Sequence, residues 1–176
     1  INAMGHYEDT PIKQPRGNWL DAIEKGMMRT GDPPGFFFIL HFWEKISMSE
    51  IWLRLLPFLF FCIGIITLIN MSFLLGLPPI LSVAIGYLPL ASAQNVYHSI
   101  ELRAYSMELG FTYITIYATL KLLRTISFGE TIKGRSWILF TAILVLGVSS
   151  RFSFIVTSSA CYGVLFLYLV NKNKWR

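Results

Sequence analysis

Asn95-Val-Tyr-His-Ser-Ile-Glu-Leu-Arg-Ala-Tyr105 gathers the side chains most able to do chemistry. The segment closes a stretch, Leu55 to Ile100, that contains no Asp, Glu, Lys or Arg, and it leads straight into another apolar run. Ionisable groups next to apolar spans are costly and mark substrate paths, relays or ligand sites. Glu101, Tyr105, Glu108 and Thr112 recur at i, i+4, i+7, i+11, the spacing of one helix face, which predicts a polar stripe turned toward protein or a cavity. Arg103 falls nearly opposite Glu101 on an ideal helix, so either Glu101 precedes the helix or the two point at different partners. A plainer reading makes Arg103 a snorkelling cation with a local ion pair at a span end. That reading does not reach Glu108, a turn deeper. His98 suits a capping or loop role better than that of an acid. Seven of the ten acidic residues (Glu8, Asp9, Asp21, Glu24, Asp32, Glu44, Glu50) lie in residues 1–50, which makes that region the second place to look for chemistry.

The elements that must position these groups are membrane elements. The chain has 176 residues, 54% apolar and only 14% charged, with mean hydropathy +0.54. A soluble domain carries about a quarter charged residues. This composition excludes a soluble enzyme, a coiled coil, a disulfide-rich secreted module and a disordered tail. The uncharged stretch to Ile100 is longer than the roughly 20 residues of one crossing, so it predicts two spans and a short loop. The expected fold is an all-α polytopic transmembrane bundle. Residues 1–50 form an outer-face loop with interfacial helices, and residues 51–176 form about five spans, near 51–69, 78–94, 104–122, 137–148 and 152–170. Cys62 and Cys161 sit in apolar runs without a second ligand at metal spacing, so they read as lipid-facing or core residues.

Lys and Arg positions give the orientation. With residues 1–50 outside, the inner side receives Lys121, Arg124, Lys133, Arg135, Lys172, Lys174 and Arg176, while the short outer loops hold Arg103 and Arg151. The positive-inside rule then puts the N-terminal region in the periplasm, lumen or extracellular space and the tail in the cytoplasm. The net charge of +5 is largely this topology signal, so no nucleic-acid partner is expected. Ser136 to Ser150 covers roughly 22 Å at the helical rise, short of the hydrocarbon thickness of about 30 Å. Ser149-Ser-Arg-Phe152 is therefore expected at membrane depth, on the floor of a water-filled cavity.

In the N-terminal region Pro11, Pro15 and Gly17 predict a loop, Asn18 an N-cap, and Trp19, Leu20, Ile23 and Met27 one apolar helix face. The helix lies on the bilayer surface or packs on its own protein. Thr30-Gly-Asp-Pro-Pro-Gly35 is a turn, and Phe36 to Trp43 is too short to span, which predicts an interfacial or re-entrant helix.

Taken together, three segments resemble the GT-C membrane glycosyltransferases that use polyprenyl-phosphate sugars, among them protein O-mannosyltransferases and aminoarabinose transferases. They are Asp32-Pro-Pro-Gly-Phe-Phe-Phe-Ile-Leu-His-Phe-Trp43, Ser49-Glu-Ile-Trp-Leu-Arg-Leu-Leu-Pro57 and Ser99-Ile-Glu-Leu-Arg-Ala-Tyr105, with Ser149-Ser-Arg-Phe-Ser153 where that family breaks a pair of short spans. The match runs over about residues 18–170 and implies the N-terminal part of a longer protein. It departs from the family in two places. No transmembrane helix precedes Glu8-Asp9, and Asp32 stands where the family commonly has His. The resemblance implies a sugar on a polyprenyl phosphate as donor, a glycan, lipid or protein as acceptor, and a bilayer around both. It carries the general base onto Asp9, with Asp32 second, since a carboxylate must take the acceptor's proton. Arg103 and Arg151 become the cations on the departing phosphate. Glu101, Tyr105 and His98 become substrate-binding or orienting groups. Some relatives bind a divalent metal, which Glu8, Asp9 and Asp32 could hold, although no ligand spacing demands one. A transporter or lipid-handling scaffold is the alternative, with Glu101, Arg103 and Glu108 along a substrate path. It predicts an internal duplication, and the sequence has none.

Overall fold

A computed structural model describes Glu24, residues 33–130 and residues 132–174. Over the described residues the chain is all helical, with seven long or short α-helices and no strand. They are α1 (Pro34–Glu44), α2 (Glu50–Leu74), α3 (Pro79–Tyr87), α4 (Ala93–Ile100), α5 (Tyr105–Ser127), α6 (Gly134–Ser150) and α7 (Phe154–Lys174), with a 3-10 turn, Leu88–Ala91, between α3 and α4. Glu24 is helical and exposed; the rest of the expected helix from Asn18 lies outside the described residues.

Local chemistry sets the boundaries. Pro33 precedes α1 and Pro34 opens it, where the missing N–H costs nothing. Ser49 caps α2, its hydroxyl accepting from the Trp52 N–H at 3.3 Å, and Glu50 in the first turn complements the helix dipole. α2 and α5 close alike: Gly76 (φ 82°) and Gly129 (φ 77°) take the left-handed conformation, and the following N–H groups return to Ser72 and Thr125 carbonyls. Pro78–Gln94, expected as one span, is instead interrupted. The helix tightens into the 3-10 turn at Pro89, which has no N–H to give, and Ser92 turns extended (φ −93°, ψ 114°) to cap α4.

Helix directions follow from two arginine contacts. Arg54, near the start of α2, donates to the Ile100 carbonyl at 3.3 Å, and Arg124, near the end of α5, donates to the Leu74 carbonyl at 3.2 Å. α2 and α5 therefore run parallel, and their seam is the most extensive in the bundle. Gly110 makes it close: a Cβ there would meet the Phe60 carbonyl oxygen at 2.9 Å. α6 returns, and α7 runs parallel to α5. The bundle thus has one end carrying Glu50, Glu101, Arg103 and Arg151, and another carrying Lys121, Arg124, Lys133 and Arg135.

α1 lies across the first end. The Trp43 and Trp52 rings stack at 4.6 Å and 8°, and each indole N–H donates to the other residue's carbonyl, at 2.8 and 3.1 Å. Phe36 of α1 joins a core with Leu56, Ala104, Met107, Phe111, Phe140 and Phe154. The outer surface remains apolar, with Ile51, Ile80, Ile138 and Val156 each at least 71% exposed. α2 and residues Phe154–Asn171 are long and apolar enough to cross a membrane; Pro79–Ala91 and Gly134–Ser150 are shorter apolar helices. α5, at 23 residues, carries Glu108, Lys121 and Arg124.

Candidate functional site

Glu101 ends α4 in an extended conformation (ψ 133°), so it precedes the next helix and does not share a face with Tyr105. The expected stripe accordingly loses its first member and begins at Tyr105. Of the two arrangements the spacing left open for Glu101 and Arg103, the structure takes the first. Across the turn from 101 to 104, Arg103 Nε approaches Glu101 Oε1 at 3.1 Å, and the other carboxylate oxygen meets His98 Nδ1 at 2.9 Å. The turn is pinned further by the Arg103 N–H on the Glu101 carbonyl at 2.8 Å and by the Ser106 hydroxyl on the His98 carbonyl at 2.6 Å. Ala104, buried at the start of α5, anchors it to the core.

The second half of the site comes from the joint between α6 and α7. Arg151 is extended (φ −161°, ψ 139°) and ends α6, as the short uncharged run predicted for Ser149 to Phe152. Two glycines allow the joint. A side chain at Gly147 would overlap the Phe154 ring, and one at Gly35 would overlap the Ser149 carbonyl and hydroxyl, so Pro34-Gly35 seats directly on the break. Arg151 Nη1 meets Glu108 Oε2 at 3.0 Å, and the Ser153 hydroxyl donates to the other Glu108 oxygen.

Tyr105 joins the halves. Its ring stacks with His98 at 4.3 Å and lies beneath the Arg151 guanidinium, 4.1 Å from the ring centroid. One run of contacts thus links Arg103, Glu101, His98, Tyr105, Arg151, Glu108 and Ser153. Arg103 is 54% exposed, while Glu101 and Glu108 are each at 20%. Half-buried carboxylates hold the cations in fixed positions, which suits recognition of an anion by geometry. An open-sided apolar groove of about 610 Å³ adjoins the joint, lined in part by Pro33, Val148, Phe152 and Tyr162.

Of the residues singled out from sequence, His98, Glu101, Arg103, Tyr105, Arg151 and Glu108 come together. Asp9, Asp32 and Glu8 lie outside the described residues. Among the described residues, no group of three His, Cys, Asp or Glu side chains is placed to hold a metal ion. Ser153 and Arg54 stood inside the segments singled out from sequence, but neither was given a role of its own. Arg54 was legible as the i+4 partner of Glu50, which it contacts at 2.7 Å; its bond to Ile100 depends on helix direction and was not. Comparison with family models, with curated proteins and with solved structures gives no match.

Proposed function

We propose that this chain acts as a multi-pass membrane glycosyltransferase, moving a sugar from a polyprenyl-phosphate donor to an acceptor hydroxyl on the outer face. The observation that carries the reading is the continuous contact run from Arg103 to Glu108 beside an apolar groove. It positions two guanidinium groups, and Ser149 and Phe152, on either side of Arg151, border an apolar surface that suits an isoprenoid chain. In this scheme a carboxylate, Asp9 or else Asp32, accepts the proton of the acceptor hydroxyl. The hydroxyl oxygen bonds to the sugar's anomeric carbon as the bond to the phosphate oxygen breaks. The electron pair leaves with the lipid phosphate, whose charge Arg103 and Arg151 stabilise. Glu101 and Glu108 orient those cations, and Tyr105 keeps the Arg151 guanidinium flat against its ring.

The bilayer supports the same scheme. The exposed apolar residues on the flanks of α2, α3, α6 and α7 would face lipid, and the basic end would face the cytoplasm. The test is transfer from a labelled polyprenyl-phosphate sugar by membranes containing the full-length protein. Arg103→Ala is expected to reduce transfer at least about tenfold, and Asp9→Asn more, with the protein still inserted. Unchanged transfer in both variants would remove the site assignment. If no lipid-linked donor supports transfer by the wild type, the lipid-handling or transport alternative takes its place.

A further inference from the structure

At the opposite end, α5 and α7 enclose an open-sided groove of about 370 Å³, lined by Leu123, Arg124, Ser127, Phe128 and Tyr168. Arg124 is fixed there by its bond to the Leu74 carbonyl and by the Phe128 ring, 5.8 Å from the guanidinium carbon. Among the described residues, Lys121, Arg124, Lys133 and Arg135 have no carboxylate partner. The opposing charges at this end are Glu130, exposed in the turn after α5, and the carbonyl ends of α2, α5 and α7. These offset only part of four cations.

We propose that this groove binds an anionic phospholipid, with the phosphodiester on Arg124 and part of one acyl chain along Leu123 and Phe128. Charge complementarity selects the headgroup: a zwitterionic lipid brings its own cation, which Lys121, one helical turn before Arg124, would repel. A fixed guanidinium loses little freedom on binding phosphate. Apolar walls beside it distinguish a lipid from a free anion. Basic pockets between helices at a cytoplasmic membrane face take such headgroups. The inference rests on the chain crossing a bilayer and is independent of sugar transfer.

The experiment is native mass spectrometry of the full-length protein in detergent, titrated with dioleoyl phosphatidylglycerol or dioleoyl phosphatidylcholine. The anionic lipid is expected to bind at least fivefold more tightly. Arg124→Ala is expected to lower that affinity about fivefold, and Arg124→Lys to keep most of it. Ser127→Trp, which fills the groove without touching Leu74, is expected to weaken both lipids. Should Arg124→Ala fail to fold for want of a donor to Leu74, the Lys and Trp variants decide. Equal affinity for the two lipids, wild-type binding by Ser127→Trp, or displacement of the lipid by millimolar inorganic phosphate would each overturn the proposal. Loss of sugar transfer, by contrast, leaves it untouched.

Discussion

Arg151 at one end of the bundle and Arg124 at the other both reach across to a neighbouring helix, but they meet different partners. Arg151 meets a half-buried carboxylate, Glu108, and lies on Tyr105; among the described residues Arg124 meets a backbone carbonyl and a ring. The same pattern extends to most of their neighbours, Lys45 over the Phe42 ring being the exception at the first end. Arg54 and Arg103 each have a glutamate, whereas Lys121, Lys133 and Arg135 have none among the described residues. Matched cations are held for geometry, since the carboxylate fixes direction while lowering net charge. Unmatched cations keep their full field, which acts on whatever anionic surface lies outside the protein.

This contrast can be broken by deleting the matching groups. Glu108→Ala removes the carboxylate that Arg151 and Ser153 share at a partly buried place, and is expected to cost about 2 kcal/mol, read as a lowered thermal midpoint of the detergent-purified protein. Wild-type stability in that variant would mean the pair is solvated and the two ends are built alike. Pairing Glu108→Ala with Arg151→Ala sharpens the point: the double variant is expected to be less destabilised than the sum of the singles. Next comes Gly35→Ala, expected to cost about 2 kcal/mol, because its methyl collides with the Ser149 backbone and lifts α1 off the joint. Tyr105→Ala should cost about 1 kcal/mol by removing the contacts with His98 and Arg151, while Tyr105→Phe keeps the ring and most of the stability. At the other end Lys133→Ala is expected to change stability by no more than about 0.5 kcal/mol, since no intramolecular partner is lost. On the lipid-binding proposal, any effect of Lys133→Ala on affinity for an anionic lipid shrinks with added salt.

Sequence reached the helices through their apolar runs and reached the site through its isolated charges. The gap between Leu55 and Ile100 set off α2 from Glu101 and Arg103, and Ser149 to Phe152 fell between two expected apolar spans, where the helix does break. The kink at Pro89 was missed because hydropathy averages over Pro78–Gln94 and does not register a lost N–H or the Ser92 cap. The pairing of Arg151 with Glu108 was also out of reach: both residues were noticed singly, but 43 positions separate them, and only the parallel course of α5 and α7 around the joint brings them into contact. The local pair of Glu101 and Arg103 was within reach as one of two arrangements, because a turn and a helix place neighbours so differently.

The Trp43 and Trp52 indoles lie face to face across α1 and α2, each satisfied by the other residue's backbone. Chromophores so close and nearly parallel share their electronic excitation, so the docking of the C-terminal end of α1 on the start of α2 carries its own optical signature. Near-ultraviolet circular dichroism of the unlabelled protein would then follow, in real time, whether α1 stays docked on α2 or lifts away.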